Sequence, residues 1–229
     1  MQPDGRPPQP PVTRDMLELL HIGLDDHIPE NACILAAAET AFWTQSRLGE
    51  LFTKNRSTFD PRRVPARSHL SPPSTLNGSR TLFYPYTKMK RYAGDKSSVT
   101  RQLGKSNPIE SLRIHLARNH AANDSPLFSF FTRTGDLVCL TKRHFLTVCN
   151  RIWKSHDIPH TTGHSFRIGG TTELLMKGVD PNVVKIMGRW SSNAFLRYWR
   201  QLEIIIPHHA QLLGTSFTSF LTMNTVSKR

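Results

Sequence analysis

Apolar positions along this chain recur mostly at helical spacing, and two stretches alternate as strands do. The stretch "TRDMLELLHIGL" predicts an amphipathic helix capped by Thr13, and "PENACILAAAETAFWTQ" predicts a second, more apolar helix directly followed by "SRLGELF". From Lys54 to Arg80 the chain is rich in Pro, Ser and Arg, which predicts an irregular connection with a short strand inside it. "RTLFYPYTKMKRYAGDKSSV" reads as a strand, a turn around Gly94-Asp95 and a return strand. "NPIESLRIHLARNHA" predicts a helix with Pro108 in its first turn, "LFSFFTRTGDLVCL" a hairpin around Gly135-Asp136, and "TKRHFLTVCNRIWKSH" another helix. The closing stretch is mostly helical, with Gly163, Gly178 and Gly188 marking helix ends. The fold class expected is mostly α with a small β-sheet or hairpin element.

Composition changes this picture through charge. The 229 residues are 38% hydrophobic and 21% charged, as in ordinary globular proteins, but 30 Lys and Arg against 17 Asp and Glu leave a net charge of +13. A surplus of that size points to a polyanionic partner, nucleic acid first, with a merely basic surface as the alternative. Cys33, Cys139 and Cys149 form no CxxC pair, so neither a zinc site nor a disulfide framework is expected. The opening "MQPDGRPPQPPV" lacks the apolar core of a secretory signal, and the uncharged run 204–227 is too polar for a membrane span. The chain reads as soluble, with no membrane partner.

Candidate chemistry concentrates in "TTGHSFRIGGTTELLMKGVDPNVVKIMGRWSSNAFLRYWR". On a helix, His164 and Arg167 lie three apart and share a face, where a guanidinium fork and an imidazole can hold phosphate oxygens. An ordinary polar helix face has the same spacing. Tyr198 lies between Arg197 and Arg200 on a short helix that Ser191 or Ser192 would cap; nearby cations favour a phenolate nucleophile, while plain aromatic packing is the alternative. Upstream, Arg47 follows an apolar helix with Glu50 one turn on, either supporting a neighbour or pairing at the surface. Lys88 and Lys90 fall near a hairpin tip, solvated or reaching a groove.

The order Arg47 in "RLGEL", Lys88 in "TKMK", "HSFR", "GRW" and then Tyr198 resembles the tyrosine recombinase (phage integrase) superfamily over roughly residues 13–205. The wording of the last third looks closest to the recombinases of eukaryotic mobile elements, the Crypton and DIRS-like groups. The resemblance implies that Arg47 and Arg167 clamp the scissile phosphate and that His164 hydrogen-bonds a non-bridging oxygen. Trp190 stands where many members have histidine. Lys88, rather than Lys90, would protonate the leaving 5′ oxygen, Glu50 would support the clamp, and Tyr198 would form a 3′-phosphotyrosyl linkage. Lys90, Arg189, Arg197 and Arg200 are expected to contact DNA.

In-line displacement at a phosphodiester needs charge stabilisation, a nucleophile and an acid for the leaving group. Acidic residues are scarce near the motif, so two arginines and a histidine take the place that metal ions fill elsewhere, and a covalent tyrosyl intermediate conserves bond energy. No metal, ATP or other cofactor is therefore expected. The gap from Trp190 to Tyr198 is one residue shorter than in phage and bacterial members, yet Tyr84, Tyr86 and Tyr92 all precede HxxR, leaving Tyr198 as nucleophile. Residues 1–12 read as a linker remnant, 13–205 as the catalytic domain and 206–229 as a C-terminal tail, without the upstream clamp domain usual in such proteins. The expected function is strand breaking and rejoining on double-stranded DNA by a homo-oligomer, in site-specific recombination or integration of a mobile element, with nuclear location following from that substrate. The alternatives are a catalytically inactive or domesticated DNA-binding module and, more remotely, a type IB topoisomerase.

Overall fold

The computed structural model describes residues 10–191. The chain enters the domain at Val12, which is buried and gives its N–H to the Ser165 carbonyl at 3.0 Å. Helix α1 (Arg14–Gly23) starts at Thr13, whose hydroxyl caps the Met16 N–H. Helix α2 (Pro29–Trp43) is apolar on every side, and every residue from Ala32 to Trp43 is buried. A helix without a polar face belongs in the middle of a domain, and α2 is the central one. Around it pack α1, α4 (Pro108–Arg118, capped by Asn107) and α6 (Gly163–Met176). The amphipathic α5 (Lys142–Lys154, capped by Thr141) buries Phe145, Val148, Cys149, Ile152 and Trp153 against α1 and the core.

Two antiparallel hairpins complete the domain. Strand β1 (Arg80–Tyr84) pairs with β2 (Asp95–Val99), Tyr84 opposite Asp95, and β3 (Ser129–Phe131) pairs with β4 (Leu137–Cys139). The first turn differs from the expectation. Asp95 already belongs to the ladder, so the tip lies at Thr87–Arg91, and Gly94, at φ +68°, only admits the chain to β2. The second turn closes at Gly135 as expected. No strand forms between Lys54 and Arg80; Arg67–His69 makes one 3₁₀ turn there, and Leu70 bridges to Leu82. Gly163 opens α6 rather than ending a helix, whereas Gly178 follows the α6 C-cap and Gly188 caps α7 (Pro181–Met187). Among the described residues no helix is long and apolar enough to cross a membrane.

The close approach of α6 to α2 rests on Gly169-Gly170. A Cβ at Gly170 would run into the Phe42 carbonyl, and one at Gly169 into the Val12 carbonyl. The buried carboxylate between the helices is paired. Glu39 on α2 meets His21 Nε2 at 2.6 Å and accepts from Ser111 Oγ at 2.9 Å, while burial pushes its carboxyl pKa up. Cys33, Cys139 and Cys149 are buried free thiols, and burial raises the pKa of each.

His115 shows how completely one buried group is specified. Its Nε2 donates to the Leu127 carbonyl at 2.8 Å, and its Nδ1 accepts from Asn119 Nδ2 at 3.1 Å. Asn119 cannot turn over, because Nδ2 also donates to the Pro29 carbonyl and Oδ1 accepts from the Phe131 N–H. Protonation would therefore set two donors face to face in a dry site, and burial holds the His115 pKa down at about 4. With the folded-state pKa below the ordinary 6.5, this residue's contribution is intact above pH 6.5 and is lost as pH falls toward 4. We predict that His115→Gln, though less stable at neutral pH, has a flatter stability profile between pH 6.5 and 4. The difference in slope should amount to about 3 kcal/mol across the window, read from urea unfolding at each pH.

Candidate active site

The site forms where the C-terminal end of α2 meets the first turn of α6, the exit of α7 and the base of the β1–β2 hairpin. Helix α2 stops at Thr44, and Gln45 then adopts a left-handed backbone, φ +51°. A non-glycine residue in that region costs on the order of 1–3 kcal/mol, so its surroundings must hold it there. They do so through the Gln45 amide. Nε2 donates to the Val184 carbonyl at 3.3 Å, and Oε1 accepts from Thr171 Oγ1 at 2.7 Å and from Trp190 Nε1 at 3.2 Å.

The reversal delivers Arg47 as N-cap of the one-turn helix α3 (Leu48–Leu51). Glu50, in the third helical position, accepts the Arg47 backbone N–H at 3.4 Å and the Arg47 guanidinium at 3.1 Å. Oε2, the oxygen that takes the Arg47 backbone N–H, also accepts from Arg189 Nη2 at 2.9 Å. Glu50 thus supports two arginines from segments far apart in sequence. The Arg189 side chain is only 5% exposed, and its guanidinium carbon lies 3.8 Å from the centre of the Tyr84 ring. The Tyr84 hydroxyl in turn meets Ser46 Oγ at 2.5 Å and Thr44 Oγ1 at 3.1 Å. Arg189, like Gln45, has a left-handed backbone, φ +56°.

The HxxR pair divides between rim and interior. His164 is exposed on the first turn of α6, where the Thr162 side chain caps its N–H and the helix end carries partial positive charge. Arg167, one turn on, is 1% exposed. Its Nη1 donates to the Gln45 carbonyl and its Nη2 to the Gly188 carbonyl at 2.7 Å, while its guanidinium carbon lies 3.6 Å from the centre of the Trp190 ring. The guanidinium therefore ties the end of α2 to the end of α7, with Trp190 as a lid on one face.

The two hairpin lysines differ. Lys90 pairs with Asp95 at 3.0 Å. Lys88 is exposed in the tip and makes no ion pair among the described residues. Tyr198, Arg197 and Arg200, with the cap offered by Ser192, lie outside the described residues. Sequence reading missed Gln45, Ser46 and Tyr84. A polar "TQS" closing an otherwise apolar helix is the signal that was available. The described residues that could group around a cation are Asp25, Asp26 and His27, in the α1–α2 turn and not at this site.

No family model matches the chain, and no curated protein matches it. Solved structures do. The Tn1549 transposon integrase in complex with transposon right end DNA superposes with TM-score 0.53 at 15% identity, covering 93% of this chain and 69% of that one. The same integrase in complex with circular intermediate DNA gives 0.50 at 15% identity, covering 86% and 62%. An Flp recombinase–Holliday junction complex gives 0.48 at 16% identity, covering 78% and 42%. The chain thus spans 62% of the integrase and 42% of the Flp chain in the last two structures. The integrase likeness defines the architecture: this chain has the tyrosine recombinase catalytic-domain fold, mostly helical with two small antiparallel sheets.

Glu50 and Arg189 are both nearly solvent-free, whereas the Arg47 side chain is 34% exposed. Glu50→Ala, which strands a buried guanidinium, is expected to destabilise the fold by about 3–5 kcal/mol. Arg47→Ala should cost under about 1 kcal/mol, because solvent screens that pair. Urea unfolding of the two variants side by side checks the ranking.

Proposed function

We propose that the chain is a tyrosine recombinase catalytic domain that breaks and rejoins double-stranded DNA through a 3′-phosphotyrosyl intermediate, without metal or ATP. One observation carries the reading: Glu50 holds Arg47 and Arg189 together beside the Arg167–Trp190 stack, gathering cations from three distant segments at one place. A net charge of +13 and a fold shared with an integrase seen on transposon and circular intermediate DNA support DNA as the partner. Recombination or integration of a mobile element, affinity with the Crypton and DIRS-like groups, action as a homo-oligomer and nuclear location belong to the same proposal and rest on the sequence wording.

In this scheme Arg47 and His164 bind non-bridging oxygens at the rim, and Arg167 completes the clamp from inside. Tyr198 attacks phosphorus, and the 5′ oxygen leaves with a proton from Lys88. Lys88 suits that role better than Lys90, which Asp95 already engages. Arg189 acts from within, as the second cation on Glu50. Loss of one such donor typically raises a barrier by about 2.7–4 kcal/mol. The burial of Arg167 favours a second reading, in which this arginine is a strut and the domain binds DNA without cleaving it.

Supercoiled plasmid incubated with the protein in EDTA separates the two. The proposed chemistry gives relaxation or an SDS-resistant protein–DNA adduct that Tyr198→Phe abolishes while still binding DNA. DNA binding with no adduct supports the strut reading, and an undiminished adduct in Tyr198→Phe removes that residue as nucleophile. For the acid, a 5′-bridging phosphorothiolate substrate, whose leaving sulfur needs no proton, is expected to rescue Lys88→Ala. Rescue of Lys90→Ala in its place would move the role two residues on.

A further inference from the structure

We propose that a cavity beside α3 binds a single unstacked nucleotide, a planar base with its phosphate; the inference deepens the reading of this domain as a DNA-processing one. The cavity holds about 370 Å³ and lies between Gly49 on α3, Phe52 just past its end, the chain that follows, and Tyr86 at the start of the hairpin loop. That is the scale of a small-molecule site. Its lining has the parts a nucleotide needs. Tyr86 and the buried Phe52 supply aromatic surface, and the exposed Asn55 carries an amide donor and acceptor able to read the edge of a base. Lys54 and Arg63 supply positive charge, and neither makes an ion pair among the described residues. The one carboxylate in the lining, Asp60, is engaged by Arg62 at 3.1 Å.

Tyr86 is held as a platform. Arg63 lies 4.8 Å from its ring centre, Tyr92 packs edge-on at 5.0 Å, and Arg91 Nη1 donates to its hydroxyl at 2.8 Å. A ring fixed in advance loses little freedom when a base stacks on it. Gly49 follows Arg47 by two residues in the same turn of α3, so the nucleotide adjoining a phosphate at Arg47 is the one within reach. A Cβ at Gly49 meets nothing within 4 Å, so the mouth is open on that side.

The open glycine makes the test direct. Thymidine 5′-monophosphate is titrated into the full chain by calorimetry, with inorganic phosphate as control. Gly49→Leu adds a bulky side chain to the lining at a position where a Cβ meets no neighbour, and Tyr86→Ala removes the platform. The proposal expects measurable mononucleotide binding that weakens about tenfold or more in both variants, and a clear preference over phosphate. It is overturned by no binding to the unaltered chain, by equal binding of phosphate, or by unchanged affinity in Gly49→Leu. Duplex DNA binding measured on the same samples keeps the two readings apart: duplex binding without mononucleotide binding removes the pocket alone, and the reverse removes the DNA reading alone.

Discussion

A single carboxylate organises this end of the molecule. Glu50 is buried in a strongly basic chain and is shared by the backbone and side chain of Arg47 and by the guanidinium of Arg189. A buried charge is tolerable only when it is paired and hydrogen-bonded, and here each charge is the condition for the others. The carboxylate lets Arg189 leave solvent and lie on Tyr84, which brings the exit of α7 over the hairpin base. It also caps α3 and so aims Arg47. Around it, Gln45 performs the same service with a neutral amide, joining the ends of α2 and α7 with Thr171 of α6.

Arg167 shows how structure and chemistry can ask for the same group. Its guanidinium gives hydrogen bonds to two main-chain carbonyls at helix ends, where backbone acceptors lack partners of their own. Stacking on Trp190 covers one face. A tryptophan at this position thus reads in physical terms as packing: it shields the guanidinium from water and raises the strength of whatever electrostatic contact its edge makes.

Much of this was legible in the sequence because it is local. Thr13 caps the helix it precedes, the apolar run of α2 marks it as a helix with little polar surface, and Arg47 with Glu50 is a neighbouring pair in one turn. The first hairpin was recognised but its turn was misplaced, since Gly94 supplies a positive φ at the entrance to a strand rather than at the tip. The rest was hidden for a physical reason. Gln45 reaches Val184 and Trp190 across 139 and 145 residues, and its left-handed backbone has no glycine to announce it. Arg189 looked like a groove contact because nothing in "MGRW" reveals a carboxylate and a tyrosine waiting far upstream. Sequence spacing put His164 and Arg167 on one face, and only packing separates a rim residue from a buried one.

The glycine pair of α6 has a mechanical consequence. Gly169 sits on the carbonyl of Val12 and Gly170 on that of Phe42 at the end of α2, so backbone is approached closely at both points and a larger side chain at either would force the segments apart. The segments bearing Arg47, His164 and Arg167 therefore form a fixed anvil. The loop carrying Lys88 lies outside that close contact, joined to the block through β1 and β2 and through Arg63, which lies over the rings of Tyr86 and Tyr92.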